Sequence, residues 1–338
     1  MEIWDAYNAN FEVIEGMTLV RGEEASIPDG VYHLVGHVLV RHVDGTYLLM
    51  QRDPRKSHPC MWEATAGGSA LKGETPLECA IRELREETGI EASSLEKIRW
   101  YVWDKTRCFY AEYLCVTDCD KDSVKLQEGE TVAYKWAAAD EVCNMPPEEM
   151  LSREMQRYII NQGMKLVFPS LKYKDKAIEY INEFYEYGSK INGSGGLDRC
   201  LKESTYEAWL EKTLKYIDIA NIPKSKSPAI TYFYVREEDD RIIGMVNIRL
   251  ALNDFMRREG GHVGYSIRPT ERRKHYGTAL LDMTLKVYDT MGIRDVLVSC
   301  DKENIASAGV IKNCGGVLKD EFFSETYNEM LQMYCIRR

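Results

Sequence analysis

The sequence predicts two layered domains of mixed α+β or α/β type. Three observations carry this. The chain has 338 residues, which corresponds to about two domains of ordinary size. Strand-type and helix-type patterns are interleaved in both halves. Gly163 interrupts the pattern between them, and a new pattern starts at Lys165. The domains are therefore placed at 1–164 and 165–338.

In the first half, Tyr32 to Arg41 and Thr46 to Arg52 are apolar runs around the Asp44-Gly45 turn, and they predict a hairpin. A loop with Gly67, Gly68 and Gly73 leads to a helix over about 75–88. Thr75 and Glu78 have capping-box spacing, Pro76 suits the first turn and Gly89 stops the helix. Strands are expected at Ile98 to Val102, Phe109 to Val116 and Ala133 to Ala137. After Pro146-Pro147 a helix is expected from Glu148 to Gln162.

In the second half, helices are expected at Lys174 to Tyr187 and Thr205 to Ala220, around a loose patch from Ile191 to Gly196. A polar linker, Ile222 to Pro228, follows. Strands are expected at Ala229 to Arg236, Arg241 to Ile248 and Gly261 to Ile267. Then come a helix at Gly277 to Met291, a strand at Asp295 to Cys300, a helix at Asn304 to Asn313 and a last strand at Met330 to Ile336.

Composition narrows the function classes. With 44 basic and 54 acidic residues the net charge is −10, which argues against a phosphate-backbone partner and against a polybasic membrane anchor. No apolar run reaches membrane-spanning length, and the N-terminus lacks the basic start and apolar stretch of a signal peptide. The 10 cysteines stand singly, with no C-x-x-C pair. A cytoplasmic protein with free thiols is expected, with no nucleic-acid partner and no membrane association.

The first chemical constellation runs from Gly68 to Ile90, GSALKGETPLECAIRELREETGI. Helical geometry puts Glu83, Glu86 and Glu87 on one face. Three carboxylates there repel one another unless a cation offsets them, and all-oxygen ligation suits Mg²⁺ or Mn²⁺. Arg82 and Arg85 can orient the acids. Leu77, Ala80, Ile81 and Leu84 form the expected buried stripe. A solvated acidic face is the competing reading.

This segment resembles the Nudix box, G-x5-E-x7-R-E-U-x-E-E-x-G-U with U aliphatic. Gly68, Glu74, Arg82, Glu83, Leu84, Glu86, Glu87, Gly89 and Ile90 fill every defined position. The resemblance extends over about the first 164 residues and implies a Nudix-type α/β/α sandwich. The flank Met61 to Gly68 is similar to the subset near isopentenyl-diphosphate isomerases. The resemblance implies that Glu83, Glu86 and Glu87 hold metal, with the Gly68 carbonyl as an extra ligand, and that the substrate is a small diphosphate joined to another group. The base that takes the water proton is Glu86, Glu87 or a later-loop acid, for which Glu130 is the candidate. An isomerase would need a catalytic cysteine on a strand ahead of the box. Ala64-Thr65-Ala66 stands there, and Cys60 lies in a Pro59-Cys60 turn, so hydrolysis is preferred.

The second constellation is GHVGYSIRPTERRKHYGTA, Gly261 to Ala279. A strand ends at Ile267, a basic loop Arg272-Arg273-Lys274 follows, and a helix starts near Gly277. A helix N-terminus with basic side chains suits a pyrophosphate. An ordinary strand–loop–helix unit with a basic surface is the competing reading. Residues 166 to 338 resemble the GNAT acetyltransferases, which implies a mixed-sheet α/β domain that uses acetyl-CoA and a small amine acceptor. The acyl-CoA signature Q/R-x-x-G-x-G/A aligns with Arg272 to Gly277, with His275 in place of the first glycine. The implied cofactor set is Ile267, Arg272, Arg273, Lys274, His275, Tyr276, Gly277, Thr278 and Asn304. A tyrosine common in the family seven residues after that asparagine is Ile311 here; Tyr327 and Tyr334 are the substitutes considered. Glu259 and His262 are the candidate bases. The resulting expectation is a bifunctional hydrolase and acetyltransferase. The alternatives are an isomerase-like front half and a catalytically weak acetyl-CoA-binding rear half.

Overall fold

The computed structural model describes residues 2–146, 148–151, 153–216, 222–223 and 227–337. The chain divides into two compact units, residues 1–156 and 157–338.

The first unit contains strands β1 (Ile3–Tyr7), β2 (Val13–Val20), β3 (Tyr32–His42), β4 (Tyr47–Arg52), β5 (Trp62–Glu63) and β6 (Thr65–Ser69), then helix α1 (Pro76–Thr88). Strands β7 (Glu96–Trp103), β8 (Cys108–Thr117) and β9 (Thr131–Ala137) follow, then α2 (Ala139–Asn144) and α3 (Arg153–Gln162), in which the division between units falls. Strand β3 is central. β8 runs parallel to it from His33↔Cys108 to His42↔Thr117. β6 pairs antiparallel with it from Val35↔Ser69 to Leu39↔Thr65, and β4 joins at Arg41↔Tyr47. Because β8 follows β3 along its length, β6 and β4 share the opposite edge, and the sheet forks there. Leu34, Val35, Val38, Leu39 and Val40 are all buried, as befits a central strand covered on both faces. Leu34, Val38 and Val40 share a core with Cys79, Ala80 and Leu84 of α1.

Several expectations change. Gly67 and Gly68 lie in strand β6 and not in a loop, while Gly73 does turn, at φ +87°. The N-terminal hairpin β1–β2 had no strand assignment, nor had α2. The helix expected from Glu148 begins at Arg153. Trp62 of β5 donates to the Glu149 carbonyl (2.7 Å) and accepts from Leu151 N–H (2.9 Å), which holds that stretch extended. Pro147 of the expected Pro-Pro break and Ser152 of the expected helix lie outside the described residues. On α1 the buried stripe is Cys79, Ala80, Leu84 and Thr88, and Leu77 is exposed. Cys79 behaves as a small apolar group pressed onto β3.

The second unit contains β10 (Met164–Val167), α4 (Lys174–Glu186), α5 (Leu197–Glu203), α6 (Tyr206–Lys215), β11 (Ala229–Arg236), β12 (Arg241–Arg249), β13 (Val263–Ile267), α7 (Tyr276–Thr290), β14 (Asp295–Asp301), α8 (Ile305–Asn313), β15 (Val317–Ser324) and β16 (Glu329–Arg337). The strands form two sheets, β10-β11-β12-β13 and β14-β16-β15. A core of α4, α5, α6, β11 and β12 includes Tyr180, Phe184, Trp209, Phe233 and Met245. Helix α5 and the exposed strand β15 were not expected. Residues 217–220 of the expected Thr205–Ala220 helix, and 224–226 of the expected linker, lie outside the described residues. Among the described residues no helix is long and apolar enough to cross a membrane. All 10 cysteines are free.

Candidate active sites

In the first unit the site is built where α1 crosses β3 and β6. The capping box forms as expected: Glu78 N–H donates to Thr75 Oγ1 (3.3 Å), and the Glu78 carboxylate accepts from Thr75 N–H (2.9 Å). The crossing requires bare backbone at two paired positions, Gly36 and Gly68. A Cβ on Gly36 would meet Cys79 Sγ at 2.9 Å and Ala80 N at 3.0 Å, and one on Gly68 would meet the Glu83 carboxyl at 2.7 Å. The carboxyl therefore lies directly over the β6 backbone.

Arg82 organises the acids. Its guanidinium binds both oxygens of Glu74 (2.6 and 2.9 Å), Glu83 Oε1 (2.6 Å), Glu86 Oε2 (3.1 Å) and the Ser69 carbonyl (3.1 Å). Burial pushes the Glu83 carboxyl up, and Arg82 pulls it back. Glu87 points elsewhere: its Oε2 accepts from Gly67 N–H (3.0 Å). Burial, then the charge of Glu63, push Glu87 up to about 8. A carboxyl so disfavoured as an anion gains from a cation placed beside it.

The expected trio is therefore brought to one face but not gathered into a ready cage. Among the described residues no three His, Cys, Asp or Glu side chains form one, because Arg82 draws Glu83 and Glu86 together and Glu87 turns to Gly67. Glu130 precedes β9 and forms an ion pair with Lys56, whose charge also reaches Glu87 and Glu63. Glu63 is held by Arg52 (2.9 Å). Sequence reasoning missed Glu63 and Lys56: Glu63 reaches the site on β5 and Lys56 from the turn after β4, and no local spacing marks either. The acids offer oxygen donors only, the set a hard divalent cation takes. Cys60 is exposed, in a turn at φ +60°.

In the second unit, β13 and β14 belong to different sheets and meet at one end. His262 N–H donates to the Leu297 carbonyl (2.6 Å), and Leu297 N–H donates to His262 Nδ1 (2.9 Å). A Cβ on Gly261 would lie 2.6 Å from that carbonyl. Beyond this junction the two strands run on in separate sheets, and β13 leads into the turn before α7. With Nδ1 occupied, and burial, Arg249 and Arg257 holding its pKa down to about 4, His262 ties the strands together as a neutral ring. Glu259 accepts from Ser324 Oγ (2.8 Å).

In the turn after β13, His275 caps α7 in the left-handed region, at φ +58°, where the signature has glycine. Thr278 and Ala279 N–H donate to the His275 carbonyl (both 3.1 Å), and helix geometry leaves the N–H groups of Tyr276 and Gly277 without intrahelical acceptors. A Cβ on Gly277 would meet Val310 of α8 at 3.1 Å. The basic side chains do not converge as expected. Arg272 donates to the Ile267 carbonyl (3.1 Å) and Ser189 Oγ (3.1 Å), over the Phe184 ring. Lys274 pairs with Glu271 (2.8 Å), and Arg273 is exposed at φ +64°. Asn304 caps α8, accepting from Ser307 N–H (3.0 Å). Ile311 and Tyr334 are buried, and Tyr327 is half-exposed beside Phe255.

The turn itself is fixed by residues that sequence reasoning missed. Arg268 is fully buried and binds Glu179 (2.6 Å) and Glu183 (3.3 Å) of α4. Glu183 accepts from Thr270 N–H (3.0 Å) and Oγ1 (2.8 Å). Glu271 accepts from Arg241 (3.0 Å) and Lys274. The one sequence signal was an arginine directly after a strand and before Pro269.

Two domain family models match the chain. A NUDIX domain family model matches residues 32–159, and an acetyltransferase (GNAT) domain model matches 182–317. An uncharacterized Nudix hydrolase of Listeria monocytogenes is 44% identical over 91 residues, 27% of this chain and 52% of that protein. The asymmetrical bis(5'-nucleosyl)-tetraphosphatase of Rattus norvegicus is 31% identical over 128 residues, 35% of this chain and 83% of that protein. Among solved structures, RimL, a ribosomal L7/L12 alpha-N-protein acetyltransferase in complex with coenzyme A, shares 14% identity at a TM-score of 0.40, covering 52% of this chain and 94% of that one. The chain spans about half the length of the first Listeria relative.

Proposed function

We propose a bifunctional enzyme, on the premise of the NUDIX domain matched at residues 32–159 and the GNAT acetyltransferase domain matched at residues 182–317. The first unit hydrolyses a small diphosphate joined to another group. The second transfers an acetyl group from acetyl-CoA to a small amine.

The observation that carries the first half is the Arg82-ordered acid face beside Gly67 and Gly68. Glu83, Glu86 and Glu87, with the Gly68 carbonyl, would hold Mg²⁺ or Mn²⁺. When bound, such an ion neutralises the diphosphate and acidifies water. Arg82 keeps Glu83 and Glu86 on one side of the helix, and Gly36 and Gly68 let them lie against the sheet. Glu86 is the most solvent-open of the three, and we assign it the water proton. Glu87 and the Lys56-paired Glu130 are the other acids at hand. The test is release of phosphate or nucleotide from a panel of diphosphates with Mg²⁺ and with Mn²⁺. Loss of at least 100-fold in Glu86→Gln is expected, with a smaller loss in Glu130→Gln. A folded protein that cleaves no member of the panel overturns the reading.

For the second half, the parting of β13 and β14 into separate sheets, with the α7 N-terminus in the turn after β13, supports acetyl-CoA binding. Backbone N–H groups of Tyr276 and Gly277 would receive the pyrophosphate. One observation favours a second reading, binding without turnover: a buried Ile311 stands where a tyrosine is common in the family. Transfer assays with a panel of amines separate the two.

A further inference from the structure

A diphosphate at the front site meets mostly negative charge, and the cations beside it are already engaged. Arg52 pairs with Glu63 (2.9 Å), Lys56 with Glu130, and Arg82 with Glu74, Glu83 and Glu86. The Gly67 N–H is taken by Glu87. A phosphate oxygen that the metal does not hold therefore needs another donor.

His37 can supply one. On β3, Gly36 presses against α1, and Leu34, Val38 and Val40 share the α1 core. Strand alternation sends His37 to the opposite face. There it stands between Gly67 of β6 and Glu112 of β8. Its ring covers the Gly67 backbone: a Cβ on Gly67 would lie 2.5 Å from His37 Cδ2. The imidazole is thus next to the residue whose N–H holds Glu87, and any side chain at position 67 would displace it. On its other side the ring touches Tyr110, with centroids 5.2 Å apart. Glu112 does not engage it, because that buried carboxylate accepts from Arg99 (2.5 Å) and from the Tyr101 hydroxyl (3.2 Å). Among the described residues neither ring nitrogen of His37 has a hydrogen-bond partner, and the side chain is half-buried. By contrast His42 is engaged by Asp44 and His262 by Leu297.

We propose that His37 is a phosphate-binding residue of the front site, its ring N–H donating to an oxygen of the substrate diphosphate. The assignment rests on the diphosphate-hydrolase reading of this unit. Either neutral tautomer of imidazole keeps one N–H donor, and a hydrogen bond to a charged oxygen is of the stronger kind.

Methylenediphosphonate, a diphosphate analogue whose bridge resists hydrolysis, tests this without knowledge of the attached group. Its binding to the full chain in the presence of Mn²⁺, and the binding of Mn²⁺ alone, are measured by calorimetry. His37→Phe keeps a ring against Tyr110 but has no N–H. It should bind the analogue about tenfold more weakly and Mn²⁺ alone within about twofold of wild type. His37→Gln, which keeps an N–H, should recover part of the loss. The chain has six histidines, so the His37 ring resonances of wild type, identified by their contact with Tyr110, can be followed by NMR with Mg²⁺. They should shift when the analogue is added, and they carry the test alone if the variants do not fold. Equal analogue affinity in wild type and His37→Phe, or unmoved His37 resonances, overturns the assignment while leaving the diphosphate reading intact. A parallel loss of Mn²⁺ binding in His37→Phe also overturns it, because the residue then acts through the metal site. No binding of the analogue to wild type at millimolar concentration with Mn²⁺ overturns the diphosphate reading and the assignment with it.

Discussion

Arg82 and His262 show how one side chain sets the chemistry around it. Arg82 joins Glu74, Glu83 and Glu86, so its replacement should free acids that repel one another. Glu87 is a buried carboxyl beside Glu63, and a bound cation should stabilise it. Mn²⁺ is therefore expected to raise the melting temperature of wild type, and Glu87→Gln should lose most of that rise, which calorimetric scans will measure. His262 gives the pH dependence. Its folded pKa, about 4, lies below the unfolded value of about 6.5. Between these values the unfolded chain binds more protons, so the contribution of His262 is fully present above about 6.5 and is lost as pH falls towards 4. His262→Asn keeps an acceptor for Leu297 N–H without titrating. Its stability, followed by denaturant unfolding, should fall less steeply than wild type across that window.

At the scale of elements, a helix pressed against paired strands defines the front site. Gly36 and Gly68 are register partners, yet they predict different outcomes. An added Cβ at Gly36 meets the Ala80 backbone nitrogen of α1, which cannot move without the helix. Gly36→Ala should cost about 1–3 kcal/mol by overpacking, read by denaturant unfolding. At Gly68 the atoms nearest the added Cβ are those of the Glu83 carboxyl, a side-chain end that can swing away. Gly68→Ala should unfold within about 1 kcal/mol of wild type, on the scale of a surface change, but bind Mn²⁺ at least tenfold more weakly. A similar close approach marks the rear unit: β13 and β14 are fastened at His262 and Leu297 although they belong to separate sheets.

At the scale of the molecule, the two units have separate cores, one around Leu34, Val38 and Leu84 and one around Tyr180, Phe184 and Phe233. Chemistry in one should therefore be removable without loss in the other. Glu83→Gln is expected to abolish diphosphate hydrolysis and to leave the coenzyme A dissociation constant within about twofold of wild type, by calorimetry on the full chain. A larger change would reveal energetic coupling between the sites.

How much was legible follows from how far apart the cooperating residues are in sequence. The acid face, the capping box at Thr75 and Glu78, and the strand–loop–helix at Ile267 to Gly277 are local. Helical periodicity and backbone geometry fix them within a few residues, so the sequence alone determined the families, the mixed fold and the helix carrying Glu83, Glu86 and Glu87. Pairing across the chain decided the rest. Gly67 and Gly68 entered a strand because β3 offered an open edge under α1. Lys56 came to Glu130 through the strand register, and Arg268 reached Glu179 across 89 positions. Three basic residues in a row looked like an anion site, yet Ile267, Ser189 and Glu271 took Arg272 and Lys274. Side chains choose partners by proximity in space, and only the packed sheets and helices set that proximity.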